Sequence, residues 1–225
     1  MIDWHRSMTV IERYHPAELS MLCDHASTIL RRGGIVAIPT ETYYGLGVDP
    51  FNPAALGHLA KVKGRADGKP ILLLIGAREQ LRDLVDYVPP AAEALMEAFW
   101  PGPLTIVFPA RAGIHELVTA GTGTVGVRWT SLAALADMLQ VVGPLTGTSA
   151  NRAGESPART AREVQRALGD EIDLIIDAGT TPGGFPSTVI QVLEQAQIVR
   201  EGAITRASIR QTLHERGFFL NEVGM

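Results

Sequence analysis

The chain reads as an α/β protein: one twisted sheet of mixed parallel and antiparallel strands with flanking helices in a single domain. Three observations predict this. Short apolar runs such as IVAI (35–38) and ILLLI (71–75) are bounded by glycine or polar residues, as buried strands are. Between them lie segments with apolar residues at helical spacing. Strands and helices do not alternate strictly, and several strands follow one another late in the chain, which favours a mixed sheet over a doubly wound one.

The elements follow in order. Leu19, Leu22, Ala26 and Ile29/Leu30 recur at helical spacing and predict a helix over 16–32, stopped by Gly33-Gly34. IVAI is a short buried strand, followed by a glycine- and hydroxyl-rich turn, PTETYYGLG (39–47). Pro53 starts a helix towards Lys61. ILLLI is too apolar to have a wet face. Helical pieces follow over 79–85 and 91–99, then a turn at 101–103 and the strand LTIVF. TVGVR (124–128) is a further strand, and 131–139 a helix with Ser or Thr available to cap it. PLTGTSANRAG is a short strand running into a small-residue loop. Thr160 opens a helix to residue 168, with Glu163 completing a capping-box pattern. Strands over 172–177, 187–192 and about 195–200 precede a final helix over 205–216. The economical reading is one domain over 1–225, its motifs spanning about 16–205, with no additional C-terminal domain.

Composition narrows the functions. The 225 residues are 46% hydrophobic and 20% charged, which is ordinary for a soluble globular protein. No apolar run approaches bilayer length, and the N-terminus lacks a signal-peptide core. Cys23 is the single cysteine and falls among apolar residues of a helix, an inert core position; the chain fits a reducing cytoplasm. A net charge of −4 argues against a broad nucleic-acid surface. Lys61, Lys63, Arg65 and Lys69, however, crowd into one segment, which suits a small anionic ligand. The six histidines have no metal-ligand spacing.

Several constellations could carry chemistry. In PTETYYGLG, Thr40 and Thr42 place hydroxyls at a strand end, and Gly45 and Gly47 allow close backbone approach. Read alone, the segment is equally a turn bonding its own backbone. Neither a dinucleotide fingerprint nor a P-loop is present. In KVKGRADGKP (61–70), Lys63 and Arg65 lie where Gly64 ends a helix and could share one phosphate chain. The same cations suit a solvated helix C-terminus. Ser149 and Asn151, with Gly154 and Arg159, form a polar turn. No His or acid stands where Ser149 would be a triad nucleophile. Arg128, Ser187 and Arg200 stand at strand ends, where arginines around one cleft would neutralise a polyanion and a carboxylate together.

These pieces in this order (PTETYYGLG, KVKGRADGKPI, WPGPLT, TVGVR, TSANRAG, PSTVI, IVREGAI) resemble the YrdC/TsaC family of threonylcarbamoyl-AMP synthases, in its short single-domain branch. The resemblance runs from about residue 33 to 203. It implies a mixed sheet around a positive concave cavity and a nucleotidyltransferase that makes threonylcarbamoyl-AMP and pyrophosphate from L-threonine, bicarbonate or CO2, and ATP with Mg²⁺. Other proteins would then transfer the threonylcarbamoyl group to tRNA. By motif position, Thr42, Arg128, Ser149 and Ser187 would bind threonine. Lys63 and Arg65 would be catalytic and hold phosphates, joined around ATP by Lys69, Thr124, Asn151, Arg159 and Arg200. Lys69, Leu74 and Arg159 depart from the longer relatives, and Gln191 and Trp129 stand where many relatives have Asp and Pro. An alternative reading is an RNA-binding module using the same cavity, with at most weak RNA binding expected of so acidic a chain.

Overall fold

The computed structural model describes residues 8–64 and 68–221. Its strands divide between two hydrogen-bonded sheets. The first has the order β1-β9-β2-β3-β8 and the second β11-β10-β5-β6-β4-β7. In the first, β1 (Val10–Arg13), β9 (Leu174–Asp177) and β2 (Val36–Ile38) run parallel, and β3 (Gly45–Gly47) and β8 (Thr148–Ser149) are antiparallel additions. In the second, β10 (Thr188–Val192) lies parallel to β5 (Leu104–Pro109) and antiparallel to β11 (Ala196–Arg200). There β6 (Thr124–Trp129) is antiparallel to β5 and parallel to β4 (Leu73–Ile75), and β7 (Leu145–Thr146) closes the edge. Parallel and antiparallel pairings are mixed as expected, though in two sheets where one was expected.

Both faces of the first sheet are covered. Strand alternation sends Ile35 and Ala37 to the main core and Val36 and Ile38 to a second cluster. The second cluster is roofed by α1 (Leu19–Arg31) and α5 (Ala133–Val142) through Leu22, Ala26, Leu135 and Leu139. The main core takes its helical side chains from α2 (Pro53–Lys63), α3 (Pro90–Phe99), α6 (Ala161–Leu168) and α7 (Arg206–Glu215). A short α4 (Glu116–Thr119) contributes Val118. Cys23 is buried in the second cluster, and burial, then Asp24 and Asp137, pushes its thiol up, consistent with an inert position. No helix among the described residues is long and apolar enough to cross a membrane.

Local chemistry explains the boundaries. Asn52 caps α2 by accepting from Ala54 and Ala55, Pro53 supplies its first turn, and Gly64 (φ 61°) ends it. Residues 16–18 form a 3-10 turn ahead of α1 rather than part of it, and 78–83 is likewise 3-10. Thr160 caps α6, but Glu163 bonds the Arg159 N–H at 2.6 Å rather than closing the box on Thr160. The helix expected over 131–139 begins two residues later with no side-chain cap, because the Thr130 hydroxyl is committed to Glu41 and the Leu132 N–H. β3, expected as part of a turn, is a strand. A Cβ at Gly47 would meet Leu145 at 3.1 Å and Ile38 at 3.4 Å, so glycine lets neighbours close over the backbone.

Candidate active site

A cavity of about 690 Å³ is lined from both sheets. Every second residue of three strands faces it: Thr105 and Val107 on β5, Thr124, Gly126 and Arg128 on β6, Val189 and Gln191 on β10. The intervening Val125 and Val127 enter the core. TVGVR therefore encodes two surfaces at once, one apolar and one able to touch a ligand. β3 and β8 supply Gly45, Thr148 and Ser149 opposite. Among the described residues lining the cavity, the charged side chains are Lys69, Arg128 and Arg200, and none is acidic.

The loop after β2 is built on its own hydroxyls. Thr40 Oγ1 accepts from the N–H groups of Thr42 and Tyr43, donates to the Tyr43 carbonyl at 2.7 Å, and lies 3.0 Å from Thr42 Oγ1. This fixes Thr42, which is buried, under the Arg128 guanidinium; Nη1 approaches its hydroxyl at 3.4 Å. On its other side Arg128 Nε lies 3.3 Å from Glu41 Oε1, an ion pair without a hydrogen bond, since neither of these buried atoms has a bonding partner among the described residues. Burial lowers the Arg128 pKa, and Glu41 counters part of that.

A second arginine closes the far wall. Arg200 donates to the Ser187 carbonyl at 2.8 Å and to its hydroxyl at 3.1 Å, and Ser187 Oγ lies 3.0 Å from Thr105 Oγ1. Burial, then the like charge of Arg128, lowers the Arg200 pKa. Two guanidiniums that line one cavity and repel each other favour an anion bound beside them. Gly202 makes this wall possible, since a Cβ there would stand 2.2 Å from the Pro186 carbonyl oxygen.

Lys63 reaches the site through backbone. Its buried ammonium donates to the carbonyls of Ser149 at 2.6 Å and Asn151 at 2.5 Å, pinning the turn that presents the Ser149 side of the cavity. Asn151 is itself buried, its amide donating to the carbonyls of Arg152 and Glu155. Arg159 lies against the strap over 181–183, donating to the carbonyls of Thr181 and Pro182. The strap is tied back to the site: Gly183 N–H donates to the Thr42 carbonyl at 2.8 Å and the Tyr43 hydroxyl to the Gly184 carbonyl. Burial, with Asp177 alongside, pushes the Tyr44 hydroxyl up to about 12, so it stays a neutral donor to Gly179.

Of the residues expected from sequence, Thr42, Lys69, Thr124, Arg128, Ser149, Ser187 and Arg200 share the cavity lining. Lys63 and Asn151 are buried beside it, Arg159 holds the strap, and Arg65 lies outside the described residues.

This colinear set of segments has a counterpart among known proteins. The Sua5/YciO/YrdC family model, described as "Telomere recombination", matches residues 28–202. The chain belongs to the Sua5/YciO/YrdC family.

Named relatives are similar over most of the chain. A threonylcarbamoyl-AMP synthase of Thiobacillus denitrificans is 40% identical over 164 residues, covering 72% of this chain and 87% of the relative. One from Idiomarina loihiensis is 38% identical over 176 residues, covering 76% and 92%. Pyrococcus abyssi Sua5 complexed with L-threonine superposes with a TM-score of 0.86 at 30% identity, over 96% of this chain and 63% of that one. The chain thus spans under two-thirds of the archaeal protein's length.

Within this Sua5/YciO/YrdC site, two contributors escaped the sequence reading. Glu41, quoted there only as a letter of PTET, pairs with Arg128, 87 positions away. Thr105 supports Ser187 from β5. The alternation LTIVF already placed Thr105 opposite the core residues Leu104 and Ile106, which was the available signal. The departures also have places: Gln191 lines the cavity, and Trp129 Nε1 donates to the Gly76 carbonyl at 2.9 Å.

Proposed function

We propose that this chain is an L-threonylcarbamoyladenylate synthase, a nucleotidyltransferase that joins L-threonine, bicarbonate or CO2, and ATP into threonylcarbamoyl-AMP with release of pyrophosphate. The observation that carries the proposal is the 38–40% identity to proteins named threonylcarbamoyl-AMP synthase. The cavity supports it. Its volume falls within the usual range for small-molecule sites, and its lining joins hydroxyls and cations without a carboxylate. Those are the groups a triphosphate and an amino acid would use.

In this reading Arg128 takes the threonine carboxylate, with Thr42, Ser149 and Ser187 offering hydroxyls nearby. Lys69, Thr124, Asn151, Arg159 and Arg200 serve the nucleotide side, with Lys63 and Arg65 at the phosphates; Lys63 also holds the turn at 149–151. The threonine amine attacks the carbon of CO2, supplied directly or by dehydration of bicarbonate, and loses a proton to give the carbamate. A carbamate oxygen then attacks the α-phosphorus, and pyrophosphate leaves. Neither step requires a protein nucleophile, so positioning and charge compensation carry the catalysis.

Mg²⁺ would accompany the nucleotide and offset charge on the leaving pyrophosphate. Among the described residues no group of three His, Cys, Asp or Glu is placed to hold a metal; the cation would be carried on the triphosphate's own oxygens and water. Downstream, other proteins would transfer the threonylcarbamoyl group to tRNA, and the enzyme would work in the cytoplasm.

The test is pyrophosphate release from ATP, Mg²⁺ and bicarbonate with and without L-threonine. Release that depends on threonine is expected. Release independent of threonine, or none, would contradict the assignment.

A further inference from the structure

We propose that Glu41 is a positioning residue for amino-acid binding: its carboxylate attracts the Nε side of Arg128 as an ion pair, so that the rest of the guanidinium fork is presented to the carboxylate of the substrate. The inference rests on the reading of Arg128 given above.

Four observations carry it. The Glu41 and Arg128 side chains are 11% and 5% exposed, so the pair is desolvated. A buried ion pair of this kind adds little net stability compared with apolar packing. Glu41 is itself held, because Thr130 Oγ1 donates to its Oε2 at 2.6 Å, and Thr130 is buried. Glu41 does not line the cavity, whereas Arg128 and Thr42 do, so any effect on a ligand passes through Arg128. Finally, among the described residues Arg128 has only the long 3.4 Å approach to Thr42 and the Glu41 pair to set its orientation, and the like charge of Arg200 in the same cavity repels it. Arg200 is fixed by three bonds to Ser187. Glu41 therefore supplies the pull that keeps the second guanidinium in place. Arg128 Nη2 has no protein partner among the described residues, and it is the atom this arrangement leaves to a ligand.

Calorimetric binding of L-threonine and of L-threonine amide to the full chain tests this. The two ligands differ at the carboxylate alone. Wild type is expected to prefer threonine by about tenfold or more, the usual value of a charge-assisted contact. Glu41→Gln keeps the volume and removes the charge. It is expected to weaken threonine by about tenfold while leaving the amide within about twofold, so the preference collapses. ATP affinity should not change. Thr130→Val, which removes the donor to Glu41, should move the ratio in the same direction by less, and it carries the test if Glu41→Gln fails to fold. A merely structural role would weaken both ligands alike and leave the ratio at the wild-type value; that result, in whichever variant folds, overturns the proposal. A wild-type protein that does not distinguish threonine from its amide would instead overturn the reading of Arg128, and the inference with it.

Discussion

Replacing Arg128 with methionine is expected to cost both turnover and stability, and the two losses should be separable. Methionine fills the aliphatic volume of the arginine stem but leaves the Glu41 carboxylate buried without its cation. An uncompensated buried charge of this kind costs about 3 kcal/mol of folding stability. The fork for the substrate carboxylate disappears as well, and a loss of about 3 kcal/mol of binding corresponds to a fall of roughly 150-fold in kcat/KM for threonine. The double variant R128M/E41Q should regain most of the stability, because no unpaired charge remains, and none of the turnover. Denaturant unfolding and threonine-dependent pyrophosphate release measure the two quantities independently. Recovery of turnover in the double variant would show that Arg128 acts only as the partner of Glu41.

Lys63→Met is the second large effect. Lys63 is 4% exposed, and its ammonium bonds two main-chain carbonyls that flank Ala150. The Ser149 carbonyl keeps the Asn151 N–H at 3.0 Å, so the Asn151 carbonyl loses more. Loss of these bonds is expected to destabilise the protein by about 2 kcal/mol. Displacement of the turn at 149–151 should lower kcat by about a hundredfold, the scale of a reacting group shifted by an ångström. Wild-type stability with lost turnover would mean that Lys63 serves the ligand alone. Wild-type turnover would remove Lys63 from the site.

Much of the fold could be read from patterns that depend on local chemistry. Asn52-Pro53 and Gly64 bound α2 because capping and left-handed backbone are decided within a few residues. The apolar runs at 35–38 and 104–108 are strands because both of their faces, or one of them, meet the core. What escaped was decided at long range. β1 has a mostly exposed pattern and owes its existence to β9, which it pairs from Val10↔Leu174 to Arg13↔Asp177. Gly45-Leu46-Gly47 carries turn composition and becomes a strand because β2 and β8 close on it from both sides.

The site shows the same division. That Thr42, Arg128, Ser149, Ser187 and Arg200 would share one cavity was legible because each ends, opens or follows a recognisable strand, and the two sheets bring those ends together. Glu41 was not, and neither was the way Lys63 is held, since their partners lie 87 and 88 positions away. A lysine near a helix terminus reads as a surface cation until the fold places two carbonyls over it.

The central claim is that this cavity joins an amino acid to a nucleotide through one carbon derived from bicarbonate. The most direct measurement is mass spectrometry of the adenylate formed by the pure protein from ATP, Mg²⁺, ¹⁵N-threonine and ¹³C-bicarbonate. A single AMP-linked product that carries both labels, dependent on Arg128, is expected. AMP or ADP without the labels, or a threonyl adenylate lacking the bicarbonate carbon, would contradict it.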